Sequence, residues 1–163
     1  MNRLMPVIGL LMVVSFQVTS CLEPSAYSAA AKYDPSISWY PDSVVTGDFK
    51  CRGRKQQAIM GIGPSETVIA IFLNGTKEKP VVLRDSSRNR DAVWLATESL
   101  DYDLEKLRGH SRPGFRRSRT CKGLVLSDSE INSLHIYWDH TLEKFDSFES
   151  AQEWVDDEGT PKD

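Results

Sequence analysis

The sequence predicts a single β-rich α+β domain: a small antiparallel sheet structure built from hairpins, with one or two short helices. Three observations carry this reading. The run Thr67 to Leu73 is β-branched or apolar almost throughout and stops at Asn74-Gly75, a pair that favours a tight turn between strands. Ser133 to Trp138 alternates, with Leu134, Ile136 and Trp138 on one side and His135 and Tyr137 on the other. Elsewhere the punctuation is that of short apolar runs bounded by Gly, Pro, Asn and Ser, without internal repeats or low-complexity segments.

The elements follow in order. The domain is expected over residues 37–150, starting near Ile37-Ser38-Trp39-Tyr40. Ala58 to Ile62 reads as a strand closed by the turn Gly63-Pro64. Pro80-Val81-Val82-Leu83 is the return partner of the Thr67 strand, and Ala92 to Ala96 a further strand. Leu100, Leu104 and Leu107 match one face of a short helix. Asp139-His140-Thr141 turns the chain, and Leu142, Phe145 and Phe148 form the answering strand. Trp39, Trp94, Trp138 and Trp154 are expected at the core or its edge. Residues 21–36, rich in Ala, Ser and Pro, read as a flexible tether, and residues 151–163 as an acidic tail with one helical turn around Trp154.

Composition sets the class. At 163 residues the chain has room for one domain, and 26% charged with 40% apolar residues is ordinary for a soluble globular protein. A net charge of −3 is too small to suggest nucleic acid as a partner of the whole chain. Residues 1–20 differ in kind: Arg3 precedes a stretch from Leu4 to Val18 that is apolar except for Ser15 and Gln17. That stretch is short for a membrane span, and it reads as a signal peptide.

Val18-Thr19-Ser20-Cys21 resembles the lipobox of bacterial lipoproteins: an aliphatic residue, two small ones, then cysteine. The resemblance implies that Cys21 carries a diacylglycerol on its thiol, with palmitate among the acyl chains, and that the chain is cut just before it. Such a protein is held firmly at a membrane in the cell envelope, because several acyl chains anchor where one binds only reversibly. Leu22 follows the cysteine where an Asp would retain the protein at the inner membrane; the outer membrane is favoured if the host is Gram-negative. The rival reading is ordinary secretion, with cleavage after Ser20 or near Ala29-Ala30-Ala31, giving a periplasmic or released protein.

Three cysteines are an odd number for an exported chain unless one has separate chemistry. With Cys21 acylated, Cys51 and Cys121 remain, and an oxidising compartment favours their pairing. Closing that loop stabilises the fold by roughly 3–4 kcal/mol in the chain-entropy model. The order of Cys51, an apolar hairpin, Cys121-Lys122-Gly123-Leu124, an acidic turn and Leu134-His135-Ile136-Tyr137-Trp138-Asp139-His140 is similar to a family of small uncharacterised exported bacterial proteins. That resemblance spans roughly residues 44 to 150 and implies a fold and a disulfide, but no activity.

The candidate sites are few. Gly47 to Ile59 resembles an FG-GAP-type calcium loop, with Asp48 at the first ligand place and Gly53 at the centre. Lys50, Arg52 and Gln56 stand where further oxygen ligands belong, and two cations repel a metal, so the resemblance implies the loop without calcium. His135, Asp139 and His140, with Asp128 and Glu130 upstream, would bind a metal only if they converged. Ser127, His135 and Asp139 compose a triad on paper, without a nucleophile elbow to support it. Arg108, Arg112, Arg116, Arg117, Arg119 and Lys122 form a basic segment with no acid among them, a candidate surface for anionic lipid, a phosphorylated glycan or an envelope protein. Against it stands the acidic stretch Asp139 to Asp163, with nine acids and two lysines. Asn74-Gly75-Thr76 fits a glycosylation sequon that a bacterium has little use for.

The leading expectation is a non-enzymatic envelope lipoprotein, without cofactor or bound metal, whose domain binds another envelope component. The alternative is a small periplasmic hydrolase or metal-binding protein using His135, Asp139 and His140.

Overall fold

A computed structural model describes residues 25–108, 112–128 and 133–150. Two antiparallel sheets pack face to face. The first contains β1 (Ser38–Trp39), β2 (Val45–Gly47), β3 (Gln56–Ile62), β4 (Thr67–Phe72) and β5 (Val81–Asp85). Its path is β1-β3-β4-β5, and β2 pairs with the N-terminal half of the β3 edge that β1 begins. The second sheet is a meander of β6 (Trp94–Leu100), β7 (Ser118–Ser127), β8 (Ser133–Asp139) and β9 (Lys144–Ser150). Among the described residues two α-helices complete the domain, α1 (Ala26–Tyr33) and α2 (Leu104–Arg108), with one 3-10 turn at Pro41–Ser43. The β-rich α+β class expected from the sequence is the one observed.

Layering explains the apolar patterns. Between the sheets lie Phe49, Ala58, Met60, Ile69 and Ile71 from one side and Leu95, Leu124, Leu126 and Ile136 from the other. The outer face of the first sheet presents Ile59, Val68, Ala70 and Phe72, and α1 covers it with Ala26 and Ala30. Hence β4 is buried at every position, which is why its sequence is a continuous apolar run and not an alternation. The outer face of the second sheet carries Leu100, Cys121, Tyr137 and Phe148, covered by Leu104 and Phe115. The alternation in β8 therefore separates two buried faces, and Tyr137 is as deeply buried as Ile136.

Several expectations change. Residues 25–36, expected within a flexible tether, carry α1: Ser25 caps it through its hydroxyl, which accepts from the Ser28 N–H at 3.2 Å. The alanines that suggested a linker are the small residues that let the helix lie flat on the sheet. Next to it, Trp39 donates its indole N–H to the Asp34 carbonyl at 2.9 Å and packs on Gly61, where a Cβ would meet the ring at 2.8 Å. Asn74-Gly75 begins the connection between β4 and β5, but Val81 is the first return residue, opposite Ile71, so the link is a longer loop and not a two-residue turn. Leu100 ends strand β6 instead of starting a helix, and α2 begins only at Leu104. Trp39 and Trp138 are buried, whereas Trp94 is 48% exposed.

One buried ion-pair group ties the sheets together. The Arg88 side chain is fully buried and donates to Asp85 at 2.7 Å and to Glu149 on β9 at 3.3 Å. Beside it, the Asn89 N–H donates to the buried Asp128 carboxylate at 2.9 Å.

Candidate functional site

The loop after β2 is built by its own side chains. The two Asp48 oxygens accept the N–H groups of Arg52 at 2.9 Å and Gly53 at 2.6 Å. Gln56 Oε1 accepts those of Phe49 at 2.9 Å and Lys50 at 3.2 Å. The oxygens that would face calcium in an FG-GAP loop here hold backbone donors. Gly53 takes φ +70°, a conformation natural to glycine, and Cys51 takes φ 53°. Cys51 is disulfide-bonded to Cys121 on β7, with Cα atoms 5.0 Å apart and the two residues 70 positions apart in sequence. An irregularity in the β6–β7 register at Ser99/Leu100 accompanies this, and the Ser118 hydroxyl accepts from the Cys121 N–H at 3.1 Å.

Three loops meet at this end of the sandwich. The 48–55 loop brings Lys50, whose ammonium lies 4.1 Å from the Trp138 ring centroid, and Arg52, 3.7 Å from Glu143 in the β8–β9 turn. The 112–117 loop reaches the same turn, where the His140 N–H donates to the Gly114 carbonyl at 2.9 Å. Gly114 is required here: a Cβ would fall 1.9 Å from the Asp139 carboxylate. Asp139 is itself buried and accepts the N–H groups of Thr141 and Leu142, both at 2.7 Å. Burial holds the His140 pKa below its ordinary value, and the charges of Arg116, Arg52 and Lys50 push the same way against Asp139. His140 Nε2 is buried without a hydrogen-bond partner among the described residues.

The basic segment does not act as one block. Arg112 donates to Asp146 at 2.9 Å, beside the Tyr137 hydroxyl, which donates to the same carboxylate oxygen. Arg117 and Arg119 both grip Asp101, at 2.7 and 2.8 Å, and those two hydrogen bonds lower its pKa. Among the described residues, exposed Arg116 and half-buried Lys122 have no carboxylate within ion-pair distance. The side chain of Arg108 lies outside the described part, as do Glu130, Trp154 and the acidic tail. Cys21 and the residues expected as a signal peptide lie outside it too.

His135, Asp139 and His140 are not brought together as the metal reading requires. His135 Nδ1 lies 2.7 Å from Glu98 Oε2 and Nε2 lies 2.7 Å from Ser150 Oγ, while the ring stacks on Phe148 at 4.8 Å. Ser127, the serine of the paper triad, is instead hydrogen-bonded to Ser133 at 3.1 Å. Among the described residues no group of three or more His, Cys, Asp or Glu side chains is placed to hold a metal. Glu98 reaches His135 over Gly123 on the intervening strand, where a Cβ would meet Glu98 Oε1 at 3.1 Å. Sequence reasoning missed Glu98, Ser150 and Asp101, because their relation to His135 and to the arginines arises from strand register. In sequence Lys50 and Arg52 read only as poor calcium ligands.

Comparison with protein families, with curated proteins and with solved structures finds no match.

Proposed function

We propose that this chain is a non-enzymatic lipoprotein of the bacterial cell envelope, anchored through Cys21, whose domain binds an anionic envelope component at the disulfide-closed end. The lipobox-like Val18-Thr19-Ser20-Cys21 supports the anchor. The observation that carries the binding role is the meeting of Lys50 and Arg52 with the 112–117 loop bearing Arg116, around the β8–β9 turn. Arginine forks and a lysine on a disulfide-pinned frame suit phosphate or carboxylate groups of a glycan or an acidic protein. The paired Arg117 and Arg119 serve chiefly to hold Asp101 and the start of β7.

The test has two arms. Metabolic labelling with a tagged fatty acid should mark the wild type and not Cys21→Ala; equal absence of label removes the anchor. Crosslinking in intact cells should capture an envelope component with the wild type and lose it with K50Q/R52Q/R116Q. Unchanged capture by that variant refutes the surface.

The geometry favours one second reading. Ser150, His135 and Glu98 stand in the order in which a base takes a proton from a hydroxyl and a carboxylate steadies the base. This would make a serine hydrolase, with residues other than those the sequence suggested. Ser150 closes strand β9 opposite Ser133, and Phe148 and Gln152 stand where a nucleophile elbow carries glycines, so this reading ranks second. A fluorophosphonate probe that labels wild type and spares Ser150→Ala would establish it.

A further inference from the structure

Helix α1 begins only five residues after Cys21, which limits how far the domain can stand from any anchor there. A tether of residues 21–36 would let the domain wander tens of ångströms from a bilayer, but Ser25 already caps α1, and Ala26 to Tyr33 are packed helix. Whatever path the intervening residues take, the chain from Cys21 to Ala26 reaches at most about 18 Å. The domain is then held against the surface by α1, the element nearest the anchor.

The chemistry of that surface fits the position. The buried side of α1, Ala26 and Ala30, lies on the sheet, leaving Tyr27 and Tyr33 at 42% and 40% exposed and Lys32 exposed. The cleft beside the helix is completed by the 76–80 loop, with exposed Lys77 and Lys79, and the Lys79 ammonium lies 5.7 Å from the Tyr33 ring centroid. Glu78 is the single acid in this group, and the Asn74 amide donates to it at 2.9 Å. Tyrosines with an apolar body and a polar tip, set among lysines, are the side chains that settle at a headgroup layer.

We infer that the outer side of α1 and the 76–80 loop rest on an anionic phospholipid surface, docked there by the short connection to Cys21. The inference rests on the proposed lipid anchor. It also orients the molecule. Arg112 and Arg116 lie in the loop over the outer face of the second sheet, so α1 and one sheet separation stand between them and the bilayer, about 20 Å. That exceeds the Debye length of about 8 Å at physiological salt, so Arg112 and Arg116 scarcely sense the bilayer to which the chain is anchored, and the loop that carries them is left for a second component.

The experiment uses the full acylated protein in vesicles containing phosphatidylglycerol, with lysine acetylation read by mass spectrometry. The comparison is a variant with a twenty-residue Gly/Ser insertion between Leu22 and Glu23. Fatty-acid label and vesicle flotation report the anchor separately for both proteins. With both anchored, Lys32, Lys77 and Lys79 should be modified several-fold more slowly in the wild type than in the insertion variant, while Lys106 and Lys144 react equally in the two. Equal modification of the three lysines in the two anchored proteins overturns the inference. Protection that is no greater on phosphatidylglycerol than on pure phosphatidylcholine overturns the assignment to anionic headgroups. Loss of label or flotation refutes the anchor itself, and the inference falls with it.

Discussion

Ala30→Glu tests whether α1 is a structural layer. Ala30 is fully buried between the helix and Ile59, Val68, Ala70 and Phe72. A carboxylate placed there meets no donor, so the helix lifts off before the charge is buried. The cost is therefore capped by the docking free energy of α1. Fully burying a Val or Phe side chain stabilises by about 1.5–3 kcal/mol, and the helix covers one side of both Val68 and Phe72, which puts docking at about 2–4 kcal/mol. This is an upper figure, because the unfolded chain already buries part of that area. At about 3–5 °C per kcal/mol for a domain of this size, Tm should fall by roughly 6–20 °C. Urea unfolding followed by far-ultraviolet circular dichroism measures the change, with Lys32→Gln on the exposed side of the same helix as the control. A loss below about 0.5 kcal/mol for Ala30→Glu, the scatter of surface substitutions, would refute the packing argument and restore the flexible tether.

Two further predictions concern the disulfide-closed end. Replacing both Cys51 and Cys121 by Ser should cost about 4 kcal/mol, from the 70-residue separation and the chain-entropy relation, measured by urea unfolding against the oxidised wild type. His140 gives a pH dependence of known sign. Its folded pKa is held below 6.5 by burial first and then by Arg116 and Arg52, so below about pH 6.5 the unfolded chain binds more protons than the native one. Its contribution is fully present above that pH and is lost as pH falls toward the folded value. His140→Gln should therefore lose less stability than the wild type between pH 7.5 and 5.5, and a parallel loss in both proteins would refute the assignment.

Local chemistry made much of the fold legible. The β4 run and the β8 alternation are set by residues adjacent in the chain, and both appear where the sequence placed them; the turn after β8 falls at residues 140–143, so Asp139 belongs to the strand and Leu142 to the turn. Cys51 and Cys121 are the pair that counting expects if Cys21 is acylated, and they are the pair the structure bonds. Helix α1 was illegible for a physical reason: alanines carry too little apolar surface to mark a face, and only the sheet beneath gives Ala26 and Ala30 something to cover.

The candidate sites divide along the same line. Sequence by itself determined the chain's class, its lipobox-like cysteine, the inventory of cations and the absence of a local catalytic motif. Tertiary structure decided which charges meet. Register across β7 carries Glu98 to His135, and the β8–β9 hairpin places Ser150 on the other ring nitrogen. Asp101 draws in Arg117 and Arg119, Asp146 takes Arg112, and the disulfide-pinned loop sets Lys50 and Arg52 beside the turn that the Arg116 loop also reaches. Coulomb forces between such groups act over a few ångströms, and that separation is fixed by packing between segments far apart in the chain.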